Sequence, residues 1–150
     1  SLVLLTRQGV PVLDRDIYPK PCSLQQGGYI ISDSENKDVI IFATGSEVWV
    51  ALEVQKILKD IHARVVNLGC WELFDEQSED YHEKVLGPQS VLRVSIEAGI
   101  TKGWEHYTGL NGINIGIDTF GESAPGNMVA DHFGITPEKI ADRVQNHLKI

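Results

Sequence analysis

The sequence predicts an α/β domain: three layers, α/β/α, around a five-stranded mixed sheet with four parallel strands and one antiparallel edge strand. Three observations predict it. From residue 28 onward, short apolar runs alternate with amphipathic ones, the order that right-handed βαβ crossovers produce. The run 64–68 shows little polar alternation, as expected of a strand covered by helices on both faces. One pair of runs, 29–32 and Val39–Ala43, is separated by only six polar residues, 33–38, which predicts an antiparallel hairpin in place of a crossover.

The elements follow in order. Residues 3–6 read as a short apolar strand, and a chain that opens in mid-strand without a Met is expected to be processed or a piece of something longer. Residues 9–27 carry Gly9, Pro11, Pro19, Pro21 and Gly27 without periodicity, so they read as an interdomain linker. The domain proper is then 28–150, with 1–8 belonging to a preceding unit. After the hairpin, Ser46 is the expected N-cap of a helix, its hydroxyl accepting an orphan N–H, with Glu47 favoured at the positive end of the dipole. Val50, Ala51, Val54, Ile57, Leu58 and Ile61 share one arc of that helix. Val48, Trp49 and Leu52 fall outside it, which predicts a second buried contact there, and Trp104 reads as exposed.

Strand 64–68 follows, then a short helix over 78–86 within a strongly acidic stretch. Strand 91–96, a short helix over 101–107 and strand 113–117 come next. A helix over 125–132 is stopped by Gly134. The last helix opens on Thr136 and Pro137 and is expected to bury Ile140, Ala141, Val144 and Leu148.

Composition bounds the function. The chain has 150 residues, 42% hydrophobic and 23% charged, with 13 Lys and Arg against 21 Asp and Glu, a net charge of −8. No two basic residues are adjacent, so no stripe suits a phosphate backbone and nucleic acid is not an expected partner. The longest apolar runs are too short to span a bilayer. Cys22 and Cys70 fit no metal spacing and read as free thiols of a reducing, cytoplasmic compartment.

Ligands of open α/β sheets sit beyond the carboxyl ends of the parallel strands. The loops 44–47, 97–103 and 118–126 would bring Ser46, Glu47, Glu97, Lys102, Glu122 and Ser123 to that rim. A phosphate cradle at 44–47 lacks a glycine-rich fingerprint and has Glu47 in the way, so a capped βα turn is the better reading. No spacing of His62, His82, His106, His132 and His147 suits a metal, and no nucleophile elbow accompanies any serine. The domain is therefore expected to hold no catalytic, cofactor or metal residues. Arg7 follows an apolar strand directly, where a guanidinium could hold a phosphate or carboxylate; chemistry alone leaves this open against a plain surface arginine.

Leu4-Leu-Thr-Arg-Gln8, Gly27-Gly-Tyr29, Ile41-Phe-Ala-Thr-Gly-Ser-Glu47, Val94-Ser-Ile-Glu-Ala-Gly99, Gly103-Trp104, Asp118-Thr-Phe-Gly-Glu-Ser-Ala-Pro125 and His132-Phe-Gly-Ile-Thr136 together resemble the carboxyl-terminal part of the transketolase family. The resemblance runs over essentially the whole chain. It implies transfer of a two-carbon ketol unit between sugar phosphates of the pentose phosphate pathway, with thiamin diphosphate and Mg²⁺ or Ca²⁺ bound by upstream domains of a homodimer. It implies a three-layer third domain that packs on the others and is structural or regulatory. It also implies that residues 1–8 end the pyrimidine-binding domain, with Arg7 holding the sugar phosphate; Thr6 stands where serine is common and Gly9 where asparagine is common. The competing reading is a stand-alone interaction module, or a regulatory ligand module using Ser46, Glu97 and Ser123.

Overall fold

The computed structural model describes residues 8–148. The strand expected over 3–6, and Arg7 with it, lie outside the described residues. A 3-10 turn, Pro21–Gln26, precedes the first strand. The strands are β1 (Gly28–Ser32), β2 (Val39–Ala43), β3 (Ala63–Leu68), β4 (Leu92–Ile96) and β5 (Ile113–Ile115). The helices are α1 (Glu47–Ile57), α2 (Trp71–Asp75), α3 (Glu79–Leu86), α4 (Glu105–Thr108), α5 (Gly126–His132) and α6 (Pro137–Leu148).

The sheet order is β1-β3-β2-β4-β5, with β1 antiparallel and the other four parallel. Side chains alternate across it. Val39, Ile41 and Ala43 face one core with α1 and α6, while Ile40 and Phe42 face a second core with Phe74, Val85, Trp104 and Tyr107. Two cores on opposite faces of one sheet make the three expected layers.

The hairpin is not formed. β1 pairs with β3, Gly28 opposite Leu68, and not with β2. Every residue of β2 is fully buried, so it takes the centre, between β3 and β4. β1 leaves Ile30 and Ser32 half-exposed and suits an edge. Residues 33–38 cross the amino end of β3, a step of two strand spacings or roughly 10 Å, well within the reach of six residues. They are tied there by Asp33: Arg64 Nε donates to Oδ1 at 2.8 Å and Nη2 to Oδ2 at 2.9 Å. The same guanidinium donates from Nη1 to the carbonyls of Lys84 and Val85 in the last turn of α3, where the helix dipole favours a cation. Burial raises the Asp33 pKa, but the hydrogen bonds from Arg64 and Ser34 outweigh it and hold the carboxyl below the usual range.

Four smaller expectations also change. Ser46 is helical, not extended, and its hydroxyl donates to Glu47 Oε1 at 2.7 Å instead of capping an N–H. α1 buries Val48, Ala51, Leu52 and Val54, and Leu58 just after it is buried too, while Ile57 is exposed. The buried face therefore keeps Ala51, Val54 and Leu58 of the arc and extends past it to Val48 and Leu52; of the three outliers Trp49 stays half-exposed, with Lys56 Nζ 5.1 Å from its ring. Trp104 is buried, not exposed. Leu148, the last residue of α6, is exposed. The segment 9–27 is not featureless: Leu13 and Tyr18 pack on the α1–α6 core, and Gly27 accepts hydrogen bonds from Gly69 and Cys70.

Candidate functional site

The loops after β2, β4 and β5 gather at one edge because those strands are parallel. Between them lies a cleft of about 440 Å³. Its walls are mostly apolar: Trp49 and Val50 of α1, Ile117 beyond β5, Val129 of α5, and Ile135. Residues 8–11 line it as well.

The structure separates the rim residues. Ser46 and Glu47 line this cleft, bonded to each other. Neither of the two clefts that Ser46 lines includes Glu97 or Ser123. Glu97 turns toward the opposite face of the sheet, where its Oε2 accepts from Trp104 Nε1 at 2.7 Å. That bond satisfies the indole of a buried tryptophan. Trp104 in turn stacks edge-on against Trp71, with centroids 5.0 Å apart. The turn before it needs Gly103: its φ is 102°, and a Cβ there would meet the Trp71 ring at 2.8 Å. Lys102, Glu122 and Ser123 are exposed. Arg7 lies outside the described residues.

Two features of this edge escaped the sequence reading. Asp118 accepts from both Thr101 N and Thr101 Oγ1 at 2.8 Å, which fastens the loop after β5 to the loop after β4. Those bonds, the backbone one first, lower the Asp118 pKa. An Asp just past a strand end was the available signal. On the far face, Tyr107 Oη donates to Asp75 at 3.0 Å, and burial followed by this bond to a carboxylate pushes the phenol pKa up. The helix that carries Asp75 was not anticipated.

Among the described residues, no three His, Cys, Asp or Glu side chains converge as metal ligands. Ser34 Oγ lies 3.1 Å from His62 Nδ1, but Asp38 bonds the backbone N–H of His62 and does not orient its ring, so the three do not act as a triad. No helix among the described residues is long and apolar enough to cross a membrane.

Comparison with known proteins agrees over nearly the whole chain. Residues 27–136 match the family model described as the transketolase-like TK C-terminal domain. Transketolase of Aquifex aeolicus is 48% identical over 96% of this chain, which spans 21% of that protein. Chloroplastic transketolase of Solanum tuberosum is 46% identical over 93% of the chain, which spans 19% of it. Among solved structures, a variant of transketolase from Pichia stipitis in complex with fructose 6-phosphate superposes with a TM-score of 0.85 at 34% identity; 94% of this chain is covered and 20% of that one. The chain thus spans about a fifth of the length of these relatives. It belongs to the transketolase family and corresponds to the C-terminal domain of that family.

Proposed function

We propose that the chain is the C-terminal domain of a longer enzyme that transfers a two-carbon ketol unit from a ketose phosphate to an aldose phosphate. The observation that carries this is the 48% identity to a protein named transketolase across 96% of the chain. The sugar-phosphate complex of the Pichia stipitis relative supports the substrate class. In this reading residues 1–8 end the preceding domain, 9–27 connect it, and Arg7 holds the substrate phosphate. The working enzyme is a homodimer. Its compartment is reducing, and we take it to be the cytoplasm, in keeping with free Cys22 and Cys70.

The described residues do not fit thiamin diphosphate or a divalent cation. The first turn of α1, the natural diphosphate cradle of this edge, carries the Glu47 carboxylate, and no set of metal-donor side chains converges. In this reading both groups belong to the upstream domains, and this domain takes no chemical step. Its part is packing: Glu97 positions Trp104 in the core, and Ser123 sits in a segment that faces outward.

The test assays the 150-residue chain and the full-length enzyme with thiamin diphosphate, Mg²⁺ and a ketose-phosphate donor. Ketol transfer is expected from the full-length enzyme alone. Transfer by the 150-residue chain above background would refute the assignment of a non-catalytic domain.

A further inference from the structure

The loop leaving β5 has a property that the core of this domain does not explain. Residues 118–128 are exposed without a break, eleven in succession. Phe120 is 97% exposed and Met128 60%. Among the described residues, no backbone amide from 119 to 124 finds a protein acceptor. Ordering such a segment costs conformational entropy, and here neither burial nor internal hydrogen bonding offsets it. Its base is fixed by Asp118 on Thr101 and its end by the first turn of α5, where Met128 N donates to the Pro125 carbonyl; the base brings Ile100, 62% exposed, to the same edge as a third apolar side chain. Exposed apolar groups clustered at one edge mark a contact surface.

We propose that residues 118–128, with Ile100, form a docking arm for the part of the polypeptide that precedes Gln8 in the full-length enzyme. This rests on the reading of the chain as the C-terminal domain of a longer protein. Two observations select that occupant. Residues 8–11 run along the same cleft that Ile117, at the start of the arm, and Gly126, near its end, help to line. The upstream body is therefore tethered beside the arm, at an effective concentration no free partner matches. The relatives also supply such a body, since the chain spans about a fifth of their length. A second copy is the poorer occupant, because it brings a net charge of −8 and its own Glu47 and Glu122 to an edge that already carries them.

The test is amide hydrogen exchange of peptides covering 118–128, in the 150-residue chain and in the full-length enzyme, with ketol transfer assayed on the same samples. In the 150-residue chain residues 119–124 of the arm should exchange as fast as an unstructured peptide. In the full-length enzyme it should be slowed roughly tenfold or more. Phe120→Ala in the full-length enzyme should restore fast exchange in the arm and leave α6 as protected as before. Equally fast exchange in both proteins overturns the proposal, whether or not ketol transfer is seen. Protection in the 150-residue chain that grows with concentration overturns it in favour of a second copy. Protection of the arm in a full-length protein that lacks ketol transfer supports the docking and overturns only the assigned activity.

Discussion

Trp104 and Phe120 stand sixteen positions apart, each beside a glycine on a loop at the carboxyl edge of the sheet, and their fates are opposite. Trp104 is 1% exposed, with its indole N–H on Glu97 and its ring against Trp71. Phe120 is 97% exposed and touches nothing that would hold it. The difference lies in what each loop does next. After Trp104 the chain enters α4, and Tyr107 and Thr108 carry it down onto the second core. After Phe120 it continues outward to Pro125 before α5 begins, and α5 buries none of its own residues. One aromatic residue completes this domain; the other is surplus to it.

The contrast is sharpened most by removing the larger ring. Trp104→Ala should cost about 3–5 kcal/mol in urea unfolding of the 150-residue chain, the range for truncating a buried aromatic. A loss below about 1 kcal/mol would mean that the second core tolerates the cavity and that the contrast is overstated. Next is Arg64→Ala, which strips donors from Asp33 and from two carbonyls of α3. It should cost about 2 kcal/mol in the same measurement, from several modest hydrogen bonds. If Arg7 holds the substrate phosphate as proposed, Arg7→Ala in the full-length enzyme should weaken phosphorylated substrates by about 1.5–3 kcal/mol in kcat/KM and leave unphosphorylated ones nearly unchanged. Equal losses for both classes would remove the phosphate role.

A smaller effect concerns pH. The folded Asp33 carboxyl titrates below its unfolded value, so its stabilisation is present above about pH 4 and is lost as pH falls through the lowered folded value. Asp33→Asn should flatten that part of an acid-unfolding curve. The smallest effect is expected from Phe120→Ala in the 150-residue chain, within about 0.5 kcal/mol of zero, because the ring packs on nothing there. A loss comparable with that of Trp104→Ala would show that the arm folds back onto the domain.

Much of this was legible in the residues. The pattern of apolar runs located all five strands to within a residue or two and anticipated the mixed sheet with its one antiparallel edge strand. What failed were judgements about partners. Nothing local to 29–43 says that β1 skips its neighbour for β3; that follows from β2 needing cover on both sides. The arc on α1 misplaced Ile57, which is exposed, while the second contact expected at Val48 and Leu52 is buried, because α1 packs on α6 as well as on the sheet. Trp104 looked exposed because its acceptor, Glu97, sits seven residues earlier on a strand end. The segment Trp71–Asp75 was missed because five residues are too few for periodicity to register. At the edge, the loops were placed correctly, but which side chains turn inward depended on bonds such as Asp118 to Thr101 that spacing does not reveal.

The strand order also has a consequence for how the domain is made. Of the strands in this sheet, the first to leave the ribosome belongs at the edge and must wait for the third, while the second, at the centre, gains its last neighbour only when β4 emerges. No contiguous amino-terminal piece shorter than about two-thirds of the chain contains a covered β2. Until then the stretch Val-Ile-Ile-Phe-Ala is a bare apolar strand with open edges, the kind of nascent segment that aggregates or engages chaperones. Mutations that delay β4, and not only those that weaken the finished core, should therefore lower the yield of folded protein.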